Sequence, residues 1–335
     1  MPWQLRASAV LLAMVAFVVV SPAVVPAAAT DGEVVCRFDD PRLDEISGMA
    51  PSRSHPGVLW LLNDSGGGPY LYAVDGQTCR TKARVRLKGA AARDYEAIAV
   101  GVDGTGRDTI WVGDIGDNRD SWPSVYVLAV REPRQLKDES SRSVRAFPFR
   151  YPDRSADAET LLAAPDADQL WVVTKSLLGG AAWALPPLQP DRTVTARRIA
   201  DVGGLITDGA VSPDGSRTAV RDYVAAWVYP GPPSKQTFAA RPVRVALPSQ
   251  PQGEALAWAP DGRSLLVASE RDDRLLRVPL PQQAWAAVAA PVPSEGAAGA
   301  AGPGAERGLS AVLLGGLLLA GALASFVLGA RLLRR

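Results

Sequence analysis

Carboxylates are the residues of this 335-residue chain best placed to do chemistry, because they recur at matching points in similar segments. Glu45, the pair Asp94 and Glu96, the pair Asp157 and Glu159, Asp208 and Glu254 each open a run of small and apolar residues. A second polar set closes the apolar run that follows. It comprises Asn63 and Asp64, Asp114 with Asp117 and Asn118, Lys175, Arg221 with Asp222, and Glu270. Unpaired carboxylates gathered in one place repel and raise one another's pKa values. A hard cation relieves that repulsion, and Ca2+ takes about six to eight oxygen ligands from carboxylates, amides and backbone carbonyls. Asp114-Ile115-Gly116-Asp117-Asn118 is the densest oxygen source, although it lacks the spacing of an EF-hand loop. Asn63, Asp64, Lys175, Arg221 and Glu270 are the candidate ligand-binding residues around it. The alternative reading is that these Asp and Asn side chains cap strand ends and satisfy loop amides.

Other chemistries find little support. One histidine and two cysteines exclude a zinc module built on Cys and His. His55 falls in a turn on the face opposite the acids, which argues against Ser-His-Asp or Cys-His catalysis. Lys and Arg total 36 against 35 Asp and Glu, a formal charge of +1, so no basic field marks a nucleic-acid binder. Gly66-Gly67-Gly68 precedes no helix and no Lys-Ser/Thr pair, so it is not a phosphate loop, and Ser65 is not set in a nucleophile elbow. Trp60, Trp111, Trp171, Trp183 and Trp227 recur at equivalent strand positions and read as packing, which leaves Trp122 as the aromatic expected near the acids.

What must position the acids is a set of short strands. Between Thr30 and about Leu280 the chain alternates Val, Leu, Trp and Tyr runs with Gly, Pro and Asp turns, and no long helical period appears. One unit recurs, beginning at Glu45, Glu96, Glu159, Thr207 and Glu254. Each copy gives an acid-led strand, a second strand such as Leu59-Trp60-Leu61-Leu62, and a third such as Tyr70-Leu71-Tyr72-Ala73-Val74. A fourth, more polar strand follows at 80–87, 144–150, 193–199 and 243–247, but the last copy has none. A spare strand, Val34-Val35-Cys36-Arg37-Phe38, stands before the first copy. A deficit at one end and a surplus at the other predict an all-β propeller of five blades closed by the N-terminal strand, with six blades as the alternative count. A sandwich series or a solenoid would not need that offset. In such a blade the first strand runs along the central channel and the second runs back, which places both polar sets at one channel mouth.

The two ends read as address and anchor. Residues 1–29 carry Arg6, an apolar run from Ala7 to Val20 and the small cluster Ala27-Ala28-Ala29, the parts of a secretory signal peptide. Residues 30–283 form the ectodomain, and 284–308, nearly all Ala, Pro, Gly and Ser, read as a stalk. Residues 309–329 read as a transmembrane helix, with an uncharged run of 20 residues, Leu309 to Leu328, about 30 Å long as a helix. The basic tail 330–335, with Arg331, Arg334 and Arg335, favours a cytoplasmic C-terminus. The expected location is the cell membrane, single-pass, with the N-terminus outside. Cys36 and Cys79 both lie in the exported part and are expected to form a disulfide.

Glu45-Ile46-Ser47-Gly48-Met49, Asn63-Asp64-Ser65-Gly66, Asp94-Tyr95-Glu96-Ala97-Ile98-Ala99 and Gly113-Asp114-Ile115-Gly116-Asp117-Asn118 resemble the secreted bacterial propellers called phytase-like or esterase-like. The resemblance covers mainly residues 44–120. It implies calcium and phosphate-binding basic groups at one channel mouth. Glu96, Asp114, Asp117, Asn118 and Glu159 would then hold metal, and Lys175 and Arg221 would bind phosphate while a metal-bound water attacks a phosphoester. The chain thus reads first as a surface propeller binding an unknown extracellular ligand or protein, with a Ca2+-dependent phosphoesterase as the alternative.

Overall fold

Val, Leu, Ile and Trp alternate with smaller residues over five to eight positions, and Pro-Asp-Gly or Asp-x-Gly turns interrupt them. Such runs cannot bury an apolar face alone, so they pair as hairpins and stack as sheets. The structure, a computed structural model, describes residues 32–64, 67–90 and 92–285. The expected signal peptide, transmembrane helix and basic tail, and the expected stalk beyond Trp285, lie outside the described residues. Among the described residues no helix is long and apolar enough to cross a membrane.

The strands form a five-bladed β-propeller. Blade 1 holds β2 (Ile46–Pro51), β3 (Val58–Asn63), β4 (Tyr70–Asp75) and β5 (Thr81–Lys88). Blade 2 holds β6 (Tyr95–Val102), β7 (Asp108–Asp114), β8 (Val125–Arg131) and β10 (Arg145–Arg150). Blade 3 holds β11 (Ala158–Ala163), β12 (Leu170–Thr174), β13 (Gly180–Ala184) and β15 (Arg197–Val202). Blade 4 holds β16 (Asp208–Val211), β17 (Arg217–Arg221), β18 (Ala225–Pro230) and β19 (Val243–Ala246). Blade 5 holds β20 (Gln252–Trp258), β21 (Ser264–Glu270), β22 (Arg274–Pro279) and, as its outermost strand, β1 (Glu33–Arg37). Cys36 pairs with Leu275 in the antiparallel β1–β22 ladder, so the first strand completes the last blade.

Packing closes the ring as well as pairing. Five apolar clusters fill the five interfaces between neighbouring blades, and one of them joins Leu275 and Ala257 of blade 5 to Ile46 and Leu61 of blade 1. Cys36 in β1 is disulfide-bonded to Cys79 in the β4–β5 turn, which staples that same interface. Two tryptophans at different strand positions each spend the indole N–H on a hydrogen bond to a neighbouring segment. Trp60 donates to Glu132 at 2.8 Å and Trp258 to the Ala210 carbonyl at 3.1 Å. In the Pro-Asp-Gly turns Gly215 and Gly262 have φ of +71° and +62°, which explains the glycine there.

Three features differ from the sequence expectation. The stretch 193–199 splits into β14 (Val194–Thr195), which pairs in parallel with β10 of blade 2, and β15 of blade 3. Likewise β9 (Ser140–Ser143) pairs in parallel with β5, so blades 1 and 2 each carry a fifth outer strand drawn from the link between the third and fourth strands of the following blade. Third, the expected stalk boundary at 284 falls inside a short helix, α2 (Gln282–Trp285). Ala284 is buried against blades 4 and 5, and Trp285 donates to the Leu280 carbonyl and lies under Arg263. The folded part therefore continues to Trp285, because that tryptophan has surface to cover. Another short helix, α1 (Lys235–Ala239), is capped by Ser234 and buries Phe238 against Tyr229.

Candidate functional site

Register fixes where the acids meet. The first residues of the innermost strands pair with the last residues of the second strands: Ile46 with Asn63, Tyr95 with Asp114, Ala158 with Thr174, Asp208 with Arg221 and Gln252 with Glu270. Counting six residues back from Pro51, Val102, Pro165, Pro213 and Pro260 gives Glu45, Glu96, Glu159, Thr207 and Glu254. One channel mouth therefore carries four glutamates and a threonine at equivalent places. The opposite mouth carries the prolines, and His55 there bonds the Pro133 carbonyl through Nε2.

The tightest group is Asp64, Asp94 and Glu96, whose carboxylate oxygens lie within 4.8 Å of one another. Glu96 is 4% exposed, and no donor among the described residues reaches it. Gly116 backs the group: a Cβ there would stand 2.6 Å from both the Asp94 carboxylate and Glu96 Oε1. The charges feel one another. Burial, then the neighbouring Asp64, Asp157 and Asp114, push Asp94 up to about 6. Burial and the charges of Glu159, Asp64, Asp94 and Glu254 hold Glu96 well above the usual carboxylate range. Glu270 is pushed up to about 8 by burial and by its hydrogen bond and repulsion with Glu254.

Asp114 and Asp117 do different work from that expected of metal ligands. Asp114 Oδ1 accepts the backbone N–H of Arg93 at 3.0 Å and of Asp94 at 2.8 Å, and Oδ2 accepts Arg93 Nε. It thereby holds the segment that presents Asp94. Asp117 accepts the N–H groups of Ser121 and Trp122, organising its own loop. Asn118 is exposed beyond them. Both aspartates are buried with their oxygens already occupied by local donors, which is the strand-end capping alternative. Trp122 is half-buried under the Arg93 guanidinium, 4.1 Å from its ring.

The two cations expected to face a phosphate are also engaged. Lys175 Nζ lies 2.7 Å from Glu159. Burial lifts Glu159 against the pull of Lys175; burial works to lower Lys175, but Glu159 holds it above its ordinary value. Arg221 is fully buried and donates to the carbonyls of Asp222 and Ala255 and to Gln250 Oε1. It is a brace between blades 4 and 5, and the resemblance's phosphate-binding role does not fit it. Asn63 is likewise turned inward, its Nδ2 donating to the Arg42 carbonyl. Asp94 and Glu254 belong to the acid-led set expected at this mouth without a ligand role of their own, whereas the contact that Gly116 makes with Asp94 and Glu96 is visible only in the fold.

No protein-family model matches the chain, and no curated protein matches its sequence. Among solved structures it is similar to a chain titled "Crystal Structure of Mitotic Checkpoint Complex", at 14% identity and a TM-score of 0.36, over 70% of this chain and 63% of that one. It is similar also to "Structure of Dos1 propeller", at 11% identity and a TM-score of 0.38, over 70% and 68%. The chain thus spans a little under two thirds of the first of these. At such scores neither likeness bears on the site, and none supplies sequence support for the phytase-like resemblance.

Proposed function

We propose that this chain is an extracytoplasmic binding module, carried on a C-terminal membrane anchor, whose acidic channel mouth seats its ligand together with a divalent cation. Asp64, Asp94 and Glu96 would hold the cation. Three hard oxygen donors and no sulfur or imidazole suit Ca2+, and bound there it would neutralise a group that otherwise repels itself. The observation that carries this reading is the convergence of those three carboxylates around a buried Glu96 that no described donor reaches. The phosphoesterase alternative is less well supported, because Arg221 is spent inside the blade and Lys175 is paired.

The test is the melting midpoint of the full-length protein with calcium and with chelator, alongside a phosphoester panel. Calcium at about 100 times its Kd should stabilise the fold by roughly 2.7 kcal/mol, a rise of about 5–10 °C for a domain of this size. Glu96→Gln should abolish the rise, and no phosphoester should turn over. A midpoint indifferent to calcium would remove the cation from the account. Chelator-sensitive turnover would replace the binding reading with the enzymatic one.

A further inference from the structure

Beside the cation group, the same face opens into a depression of about 860 Å3 spanning blades 2, 3 and 4. We propose that it is a docking site for a protein segment that carries an apolar side chain next to a lysine or arginine. This rests on the binding reading of the acidic face but not on the cation.

The apolar half is set by exposure. Leu177 and Leu178, in the turn between β12 and β13, are 88% and 99% exposed, and Val224, in the corresponding β17–β18 turn of the next blade, is 61% exposed. Leu177 and Leu178 line the depression, and Val224 follows the lining residue Tyr223 in the chain. A lone exposed aliphatic is ordinary; adjacent ones lining a concavity mark an interaction site. The polar half is set by charge. The charged lining residues are Asp120, Asp153 and Asp157 against Arg154, Lys175 and Arg198; Lys175 and Arg198 are paired with Glu159 and Asp201 outside the lining, which leaves Arg154 against the three aspartates. The surplus is negative and calls for a basic side chain. It also repels the anionic headgroups of a lipid surface, so the leucines face a protein.

Selection of a random phage-displayed peptide library on the full-length protein in detergent micelles tests the proposal. The enriched peptides should pair an aliphatic or aromatic residue with Lys or Arg a few positions away. Measured by fluorescence anisotropy, their affinity should fall as salt is raised from about 0.05 to 0.5 M. Leu177→Ser combined with Leu178→Ser should weaken binding at least ten-fold. Val224→Ser, in a separate turn, should weaken it several-fold. Both variants should keep the wild-type melting midpoint and its response to calcium, so that loss of docking and loss of the cation are read separately. The proposal is overturned by any of four results. These are no enrichment, enriched peptides lacking either element, affinities indifferent to the leucines, or partition of the wild-type protein onto lipid vesicles that the peptides do not displace.

Discussion

Glu96 opens an apolar run and Asp114 closes the next one at the same mouth, yet the protein uses them in opposite ways. Asp114 has three donors around it and fixes the backbone of Arg93 and Asp94, whereas Glu96 is buried with none among the described residues. Asp114→Ala should therefore cost about 1–3 kcal/mol of cation-free stability in a urea titration, through the orphaned amides. Glu96→Gln should leave that stability nearly unchanged and remove the calcium response instead. The reverse pattern would make Asp114 the ligand. The raised carboxylates also set a pH dependence. Asp94 titrates near 6 in the folded chain against about 3.9 unfolded, so the native state holds the extra proton between those values. Stability without calcium must then fall as pH rises through that window, by on the order of 1–2 kcal/mol once the half-exposure of Asp94 is allowed for. Glu270, pushed up to about 8, extends the fall toward that pH. Calcium needs the ionised forms, so its affinity should climb over the same range and offset the loss. Urea midpoints at pH 5 and pH 8, each with chelator and with calcium, check both signs. A chelated protein more stable at pH 8 would contradict the assignment.

At the scale of elements, the decisive piece is β1. Its pairing with β22 was legible in the sequence because the last repeat lacked a fourth strand and the N-terminus had one to spare. The parallel additions β9 and β14 were not, since each is a short polar run whose partner lies in the preceding sheet and leaves no local pattern. Helix α2 was hidden by an Ala-rich composition that, without its burial against blades 4 and 5, reads as stalk. The Cys36–Cys79 bridge encloses a 43-residue separation across the closing interface. Linking a loop of that size constrains the unfolded chain by on the order of 4 kcal/mol. Replacing both cysteines by serine should lower the melting midpoint by roughly 8–16 °C. If closure depends on that staple, hydrogen exchange in β1 and β22 should rise before exchange elsewhere. Uniform exchange across the blades would place the closing force in the apolar cluster alone.

The described propeller is a ring with two unlike mouths. Five interfaces bury the repeated Leu, Val and Trp residues, and the same repeat sends its glutamates to one end and its prolines to the other. The acidic end was readable from the repeat itself, because alternation and strand direction fix which residues share a mouth. Which acids would face a ligand was not readable. Asp117, Asp114 and Arg221 occur in the same positions as free groups would, and only three-dimensional neighbours show that their hydrogen bonds are spent inside. The central claim, that the ring brings Asp64, Asp94 and Glu96 together around a cation, is tested most directly by anomalous diffraction from crystals soaked in a lanthanide that mimics Ca2+. The expected result is a single strong peak about 2.3–2.6 Å from oxygens of all three residues, absent in Gly116→Ala, whose added methyl fills the cradle. A map with no peak there, or with the ion bound at Asp114 and Asp117 instead, would contradict it.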